Sequence, residues 1–304
     1  MREDTMAEPG WKRLGRTNMK VRSLGLGCAF FGSDNVTDQD AYDGVRRAID
    51  LGLNYVDTSP LYGQSERRVG LALEGGYREK VYLQTKTGTH PDRRYDYSAE
   101  ATRWSVEKSL TLLKTDRLDS VLIHDPRDIE APLKKGACLD ELLKMKDEGL
   151  VGHIGIGVRE HAFHKRAIET GHIDIVLSYL DYTLLSQSVA ETTLPLAKRH
   201  DVGIILASAQ GMGTLAGPEP DDETESRRYP GKKPMAHAMW SWCQENDVSI
   251  RQLALHFCLA ADIDGMVMAG PATLQQVEEV IEAAQSPVDE SVWQAFEAEF
   301  GVRG

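Results

Sequence analysis

One pattern constrains the chain more than any other. Short apolar runs alternate, eight times, with longer segments whose apolar residues recur at helical spacing. "VRSLGLG" leads into "TDQDAYDGVRRAIDLG", "NYVD" into "SERRVGLALEG", "KVYLQTK" into "SAEATRWSVEKSLTLLKT", and "LDSVLIH" into "CLDELLKMKDEG". The second half repeats the pattern. "VGHIGIG" leads into "EHAFHKRAIETG", "IDIVLSY" into "SVAETTLPLAKRH", "VGIILAS" through a long loop into "PMAHAMWSWCQEN", and "DGMVMAG" into "TLQQVEEVIEAA". Strands and helices alternating at this spacing make βαβ units and a parallel sheet. Eight such units predict a closed (β/α)8 barrel rather than an open sheet.

Local signals support the boundaries. Thr37 or Asp38 can cap the first helix and Gly52 can stop it. Three pieces lie outside the repeat. "WKRLGRTNMKV" predicts an N-terminal hairpin turning at Thr17-Asn18. "SIRQLALHFCLAA" predicts an extra helix capped by Ser249, and "VDESVWQAFEAEF" a terminal helix. No linker divides the chain. Residues 11–304 therefore read as one barrel domain, preceded by a polar, frayed tail over residues 1–10.

The net charge of -12 argues against nucleic acid and anionic membranes as partners. No apolar run is long enough to span a bilayer, and the first ten residues lack the apolar stretch of a secretory signal. Cys28, Cys138, Cys243 and Cys258 form no CxxC pair and fit no zinc spacing. They read as buried small apolar residues of a reduced, cytoplasmic protein, with no metal site expected.

Chemistry in such a barrel sits at the C-terminal ends of the strands. The reactive residues there are few: Asp57 after the second strand, Tyr62 in the loop beyond it, Lys86 ending the third and His124 ending the fourth. A phenol ionises near pH 10, and a neighbouring ammonium lowers that value. Lys86 can supply the charge, Asp57 can hold Lys86 by an ion pair, and His124 can orient a substrate oxygen. Together they suit acid-base chemistry on a carbonyl-alcohol pair.

"VDTSPLYG", "LQTK" and "LIHDP" resemble the aldo-keto reductase superfamily, and the likeness runs from "LGLGCAFFG" to "QQVEEVIEAA". Asp57, Tyr62, Lys86 and His124 fall on the family's tetrad in order, spaced five, 24 and 38 residues apart. The resemblance implies that Tyr62 exchanges the proton, Lys86 and Asp57 tune it, and His124 orients the carbonyl. It also implies hydride transfer to or from a nicotinamide cofactor. "VLSYLDYTLLSQSVAETTLPLAKRHDVGIILASAQGMGTL" resembles the L-galactose dehydrogenase and D-threo-aldose 1-dehydrogenase branch, and the "HDP" after the histidine fits it too. That branch oxidises C1 of aldoses to lactones.

By the same resemblance, cofactor contacts fall on Gly27, Cys28, Ala29, Asp57, Gly157, Leu177, Ala207, Ser208, Gln210, Gly211, Gly213, Gly270, Pro271, Ala272, Thr273, Gln276 and Glu279. Several of these depart from the family pattern. A Ser-Asn pair that binds the carboxamide becomes Gly157-Val158, a glutamine becomes Leu177, and a stacking aromatic becomes Ala207. Backbone groups, Tyr179 or Gln210 are then the expected carboxamide partners. The Lys and Arg that clamp a 2′-phosphate become Gly270 and Gln276, with no cation in "AGPATLQQVEEV" and with Glu278 and Glu279 added. NAD is therefore expected over NADP. The helix starting near Thr273 can still donate backbone N–H groups to the adenosine side.

Other motifs have plainer readings. In "GLGCAFFG", Phe30 stands where a GxGxxG loop needs glycine, so a tight turn is the better account. His161 and His164 read as an exposed pair rather than metal ligands. Trp240, Trp242 and Trp293 read as helix packing. "EPDDETESRRYPGKKP" reads as a solvated mobile loop or a flap over the cofactor. Specificity is assigned to loops 88–97, 125–136 and 214–234. The function expected is aldose 1-dehydrogenation of a small sugar or aldehyde. A broad aldehyde or ketone reductase, a cofactor-binding regulatory subunit like those of potassium channels, and a non-redox member remain alternatives.

Overall fold

Ten strands and eleven helices organise the computed structural model, which describes residues 10–220 and 229–302. An antiparallel hairpin comes first, β1 (Trp11–Arg13) with β2 (Lys20–Arg22). Eight parallel strands follow: β3 (Leu24–Gly27), β4 (Tyr55–Asp57), β5 (Tyr82–Thr87), β6 (Leu118–His124), β7 (Val151–Gly157), β8 (Ile175–Tyr179), β9 (Gly203–Ala207) and β10 (Gly265–Ala269). They form a closed barrel in chain order, with β10 pairing back to β3 through Ala269 opposite Leu26. The eight runs read from the sequence are these eight strands.

The helices are α1 (Asp38–Asp50), α2 (Ser65–Ala72), α3 (Ala99–Leu112), α4 (Glu130–Leu133), α5 (Cys138–Asp147), α6 (His161–Ile168), α7 (Val189–His200), α8 (Lys233–Glu245), α9 (Ile250–Leu259), α10 (Leu274–Gln285) and α11 (Glu290–Phe300). Their starts follow the side chains. Thr37 and Asp40 make a reciprocal capping box on α1, and Ser98, Ser249 and Thr273 each accept a backbone N–H three residues on. The short α4 carries no periodic pattern and is not legible in the sequence.

Period-2 alternation builds two cores. Tyr55, Leu122, Ile175, Leu177, Ile205, Met266 and Met268 turn into the barrel. Their neighbours Val56, Leu83, Val121, Ile123, Ile156, Val176, Ile204 and Val267 turn outward under the helices. Gly25 shows how full the interior is: a Cβ there would lie 2.8 Å from the Met266 sulfur. All four cysteines are buried free thiols, as expected. Trp242 stands edge-on to Phe296 and Phe300, and Trp293 to Phe296, so these rings pack helices.

The hairpin closes the N-terminal end of the barrel. Leu14, Met19 and Val21 join the interior core from below. The turn spans more than Thr17-Asn18, with a 3-10 turn at Gly15–Thr17 and Asn18 left-handed at φ 57°. Except for Gly10, the N-terminal tail lies outside the described residues.

Asp174 ties this end together. It accepts from Arg16 Nε (2.9 Å), Lys146 Nζ (3.0 Å), His153 Nδ1 (3.3 Å) and the Ile154 N–H (3.3 Å). Burial pushes its carboxyl pKa up, but the hydrogen bonds from His153 and Lys146 and the lysine charge win, holding it far below the usual range. A depressed folded-state pKa stabilises above the unfolded value near 4, and the gain fades as pH falls below it. We therefore expect Asp174→Asn to cost about 2 kcal/mol at neutral pH. In urea unfolding the difference from native protein should shrink steadily below about pH 4.

Candidate active site

At the C-terminal rim, neighbouring strands bring Asp57, Lys86 and His124 together, because each sits at an inward position of its strand. Asp57 lies opposite Gln84 in the β4–β5 ladder, and Lys86 opposite Leu122 in the β5–β6 ladder. Lys86 is only 1% exposed, so its charge must be matched inside the protein. Nζ donates to both carboxylate oxygens of Asp57, each at 2.6 Å, and to the Thr58 carbonyl at 2.8 Å. Three N–H donors thus meet three acceptors. Burial is the largest influence and works against the ammonium, but the Asp57 and Tyr62 charges and the hydrogen bonds to both together outweigh it and raise Lys86 above the ordinary lysine value.

Tyr62 covers this pair, with the Lys86 ammonium 4.7 Å from its ring centroid. Burial raises the phenol pKa, and Lys86 pulls it down. The lowering expected from the sequence is not reached. Asp57 holds Lys86 with both oxygens, so much of the ammonium's field is cancelled before it reaches the phenol.

His124 stands edge-on to Tyr62, ring centroids 6.0 Å apart. Burial and then the Lys86 charge hold its pKa well below the ordinary value, so the imidazole is neutral. Nδ1 meets Thr89 Oγ1 at 2.7 Å and Ser59 Oγ at 3.4 Å, both hydroxyls able to donate. Nε2 lies 3.5 Å from Asp125 Oδ2. A carboxylate only accepts, so this arrangement suits a proton on Nε2. Thr89 and Ser59 escape a motif reading because they act through His124.

Beneath the ion pair lies a buried polar net. Gln84 Nε2 donates to Asp57 Oδ1 at 2.7 Å, and Gln84 Oε1 accepts from the hydroxyls of Tyr55 (2.8 Å) and Ser120 (3.1 Å). The signal for these residues was present. Gln84 and Tyr55 each precede a site residue by two positions and so share its face.

Comparison with known proteins agrees with the geometry. The sequence model of the Aldo/keto reductase family matches residues 23–299. The chain belongs to the aldo/keto reductase family. It is 31% identical over 281 residues to L-galactose dehydrogenase of Arabidopsis thaliana, covering 90% of this chain and 87% of that protein. It is 28% identical over 309 residues to D-threo-aldose 1-dehydrogenase of a Pseudomonas species, covering 90% and 93%. Its fold is similar to the holo form of an aldo-keto reductase from Bacillus halodurans, with TM-score 0.78, 26% identity and 95% coverage of each chain. The chain is thus an oxidoreductase of a family that uses nicotinamide cofactors.

The rim of this aldo/keto reductase sorts the cofactor candidates. Gly27 and Gly270 come together, and the nearest atoms to a Cβ on Gly270 would be the Phe30 ring at 3.5 Å and the Gly27 carbonyl at 3.7 Å, ordinary van der Waals contacts. Pro271, Ala272, Thr273 and Gln276 begin α10, where Thr273 caps Gln276 N–H and Gln276 Oε1 accepts from Ala272 N–H. After β9, Ser208, Gly211, Met212 and Gly213 all have positive φ, folding the backbone into a tight cradle. Gln210 Nε2 is buried there without a hydrogen-bond partner, a donor that fits a polar ligand. Gly157 and Ala207 line the inner rim beside His124 and Tyr179, while Leu177 is closed into the barrel core.

Other candidates are committed elsewhere. The Cys28 side chain lies in the outer core, its N–H donates to the Asp57 carbonyl, and its carbonyl accepts from Ser65, while Ala29 is half-buried at the start of the 3-10 turn Phe30–Gly32. The Tyr179 hydroxyl is taken by Asp125 Oδ1 at 3.2 Å. His161 and His164 are not an exposed pair. His164 is fully buried, bonded to Thr193 Oγ1 and the Val158 carbonyl, and His161 faces Asp181. Helix α6 turns this pair against α7 and the end of β7, which the sequence does not show.

The adenosine-side charges also differ from expectation. Glu279 is ion-paired with Arg251 of α9, and Glu278 with Arg47 of α1 at 2.7 Å. The local segment holds no cation, yet the fold supplies two, so the two glutamates do not act as free negative charges. Arg251 Nε also donates to the Ala216 carbonyl, and Trp240 Nε1 to the Gly217 carbonyl, anchoring the start of the long loop. Within the segment expected to be a mobile loop or flap, residues 221–228 lie outside the described residues. The described residues contain no helix long and apolar enough to cross a membrane.

The net below the ion pair yields a test. We expect Gln84→Leu, of similar size, to cost about 2–3 kcal/mol, since it strips Asp57 of one donor and leaves Tyr55 and Ser120 sharing one bond. Urea denaturation measures this directly, and an unchanged midpoint would mean the net does not support the pair.

Proposed function

We propose that the protein is an aldose 1-dehydrogenase, oxidising the hemiacetal carbon of a small sugar to a lactone. The observation that carries this reading is the neutral His124 and the Tyr62 phenol sharing one mouth over the Lys86–Asp57 ion pair. Likeness over 90% of the chain to L-galactose and D-threo-aldose 1-dehydrogenases supports the substrate class.

In this reading Tyr62 takes the hydroxyl proton as the phenolate during oxidation, becoming the phenol, and gives that proton back during reduction. Lys86 favours the phenolate, and Asp57 keeps Lys86 charged and in place. His124 donates from Nε2 to the reacting oxygen and fixes its position. The nicotinamide ring, when bound, accepts the hydride. The glycine-rich cradle at 208–213, Gln210, and the rim from Gly270 to Gln276 are the groups that would hold the cofactor.

NAD is the proposed cofactor. The support is the absence of a side-chain cation at Gly270 and Gln276 themselves, because the neighbouring glutamates are neutralised by Arg251 and Arg47.

Two outcomes are expected. Nicotinamide reduction, followed by absorbance with a panel of aldoses, should be rapid with one sugar and NAD and lost in Tyr62→Phe. Undiminished turnover in that variant would overturn the site. Gly270→Lys with Gln276→Arg should improve NADP binding about tenfold, as expected for a new charge-assisted phosphate contact. Space at Gly270 permits the change, and no gain in NADP affinity by calorimetry would place the phosphate elsewhere.

A further inference from the structure

Beside His124, a polar cleft of about 550 Å³ opens between the ends of β6, β7 and β8, lined by Asp125, Arg159, His161, Tyr179 and Asp181. Its two aspartates differ. Asp181 is engaged by Arg159 Nε at 2.9 Å and His161 Nε2 at 3.3 Å. Asp125 receives only a neutral donor, the Tyr179 hydroxyl, on Oδ1. Its Oδ2 faces His124 Nε2 at 3.5 Å, and among the described residues no Lys or Arg is ion-paired with it.

Asp125 is also held at a cost. Its φ is 41°, a left-handed conformation uncommon outside glycine, asparagine and aspartate. Its N–H extends the β6–β7 ladder by donating to the Gly157 carbonyl at 2.9 Å. The strain and the burial of a carboxylate are both costs, and a gain at the site would offset them. For an apolar aldehyde this carboxylate would be a penalty. For a polyol it is an acceptor.

We propose that Asp125, steadied by Tyr179, binds the hydroxyl on the carbon next to the reacting one, so that the site selects 2-hydroxy carbonyls and their hemiacetals. This rests on the reading that puts the reacting oxygen between Tyr62 and His124. Oxygens on adjacent sugar carbons are about one hydrogen-bond length apart. With Nε2 and Oδ2 3.5 Å apart, an oxygen bonded to His124 Nε2 can have its neighbour within hydrogen-bond reach of Asp125 Oδ2. Asp125 is a specificity-determining residue here, and Tyr179 positions it.

The test is a selectivity ratio. kcat/KM is measured for reduction of glyceraldehyde and of propanal, which differ in the neighbouring hydroxyl. Where an aldose is oxidised, it is compared with its 2-deoxy analogue. Native protein should prefer the hydroxylated partner at least about tenfold, the worth of one hydrogen bond to a charged group. Asp125→Gly suits the left-handed backbone and removes the carboxylate, so it should cut the preference by more than about threefold. Tyr179→Phe should cut it less. Asp125→Asn decides if the glycine variant fails to fold. A native preference below about threefold, or one that the variants leave in place, overturns the proposal.

The paired aldehydes test Asp125 even if no aldose is oxidised, while the panel with Tyr62→Phe tests the underlying reading separately. If neither aldehyde turns over, calorimetry of an aldonolactone and its 2-deoxy analogue, each binding the NAD-loaded chain, reads the same ratio. Equal affinities, or no binding, overturn the proposal.

Discussion

Lys86 and Asp57 form a buried ion pair on which the rest of the site depends. Neither side chain reaches bulk water, so each is tolerable only because the other is there; removing one partner of such a pair typically costs about 3–5 kcal/mol. The pair is held on every side. Thr58 takes the third ammonium proton, and Gln84 supplies Asp57 with a second donor. A charge fixed in this way can act on a neighbouring phenol without reorganising, which is what acid-base chemistry at one oxygen requires.

The same rigidity sets a limit. Because both oxygens of Asp57 close on Lys86, the field left for Tyr62 does not outweigh burial, and the phenol sits above its ordinary value. His124 is shifted the other way and stays neutral. The site therefore presents two neutral groups over one compensated charge. That arrangement suits a substrate whose own oxygen carries the changing proton.

Around this fixed centre the rim varies. The rim carries Gly157, Val158, Leu177 and Ala207 at the positions where the resemblance implied amide-binding and stacking residues. The same rim has a left-handed backbone cradle at Ser208 to Gly213 and the unpartnered Gln210 Nε2, while Thr89 and Ser59 are buried behind His124. The changes lie on loops and strand tips, where a barrel can alter its chemistry without disturbing packing.

The sequence by itself determined the barrel and the order of Asp57, Tyr62, Lys86 and His124. Alternation at period 2 and recurrence at helical spacing are local facts, and eight repeats of them leave one closed architecture. The tertiary structure alone decided the rest. Arg251 meets Glu279 from 28 residues away, Tyr179 meets Asp125 from 54, and Arg47 meets Glu278 from 231. No local spacing encodes such pairings. Whether a glutamate is a free charge or half of an ion pair depends on which helix packs beside it. Whether a histidine is exposed, as expected for His164, or buried depends on which face of its helix is turned inward.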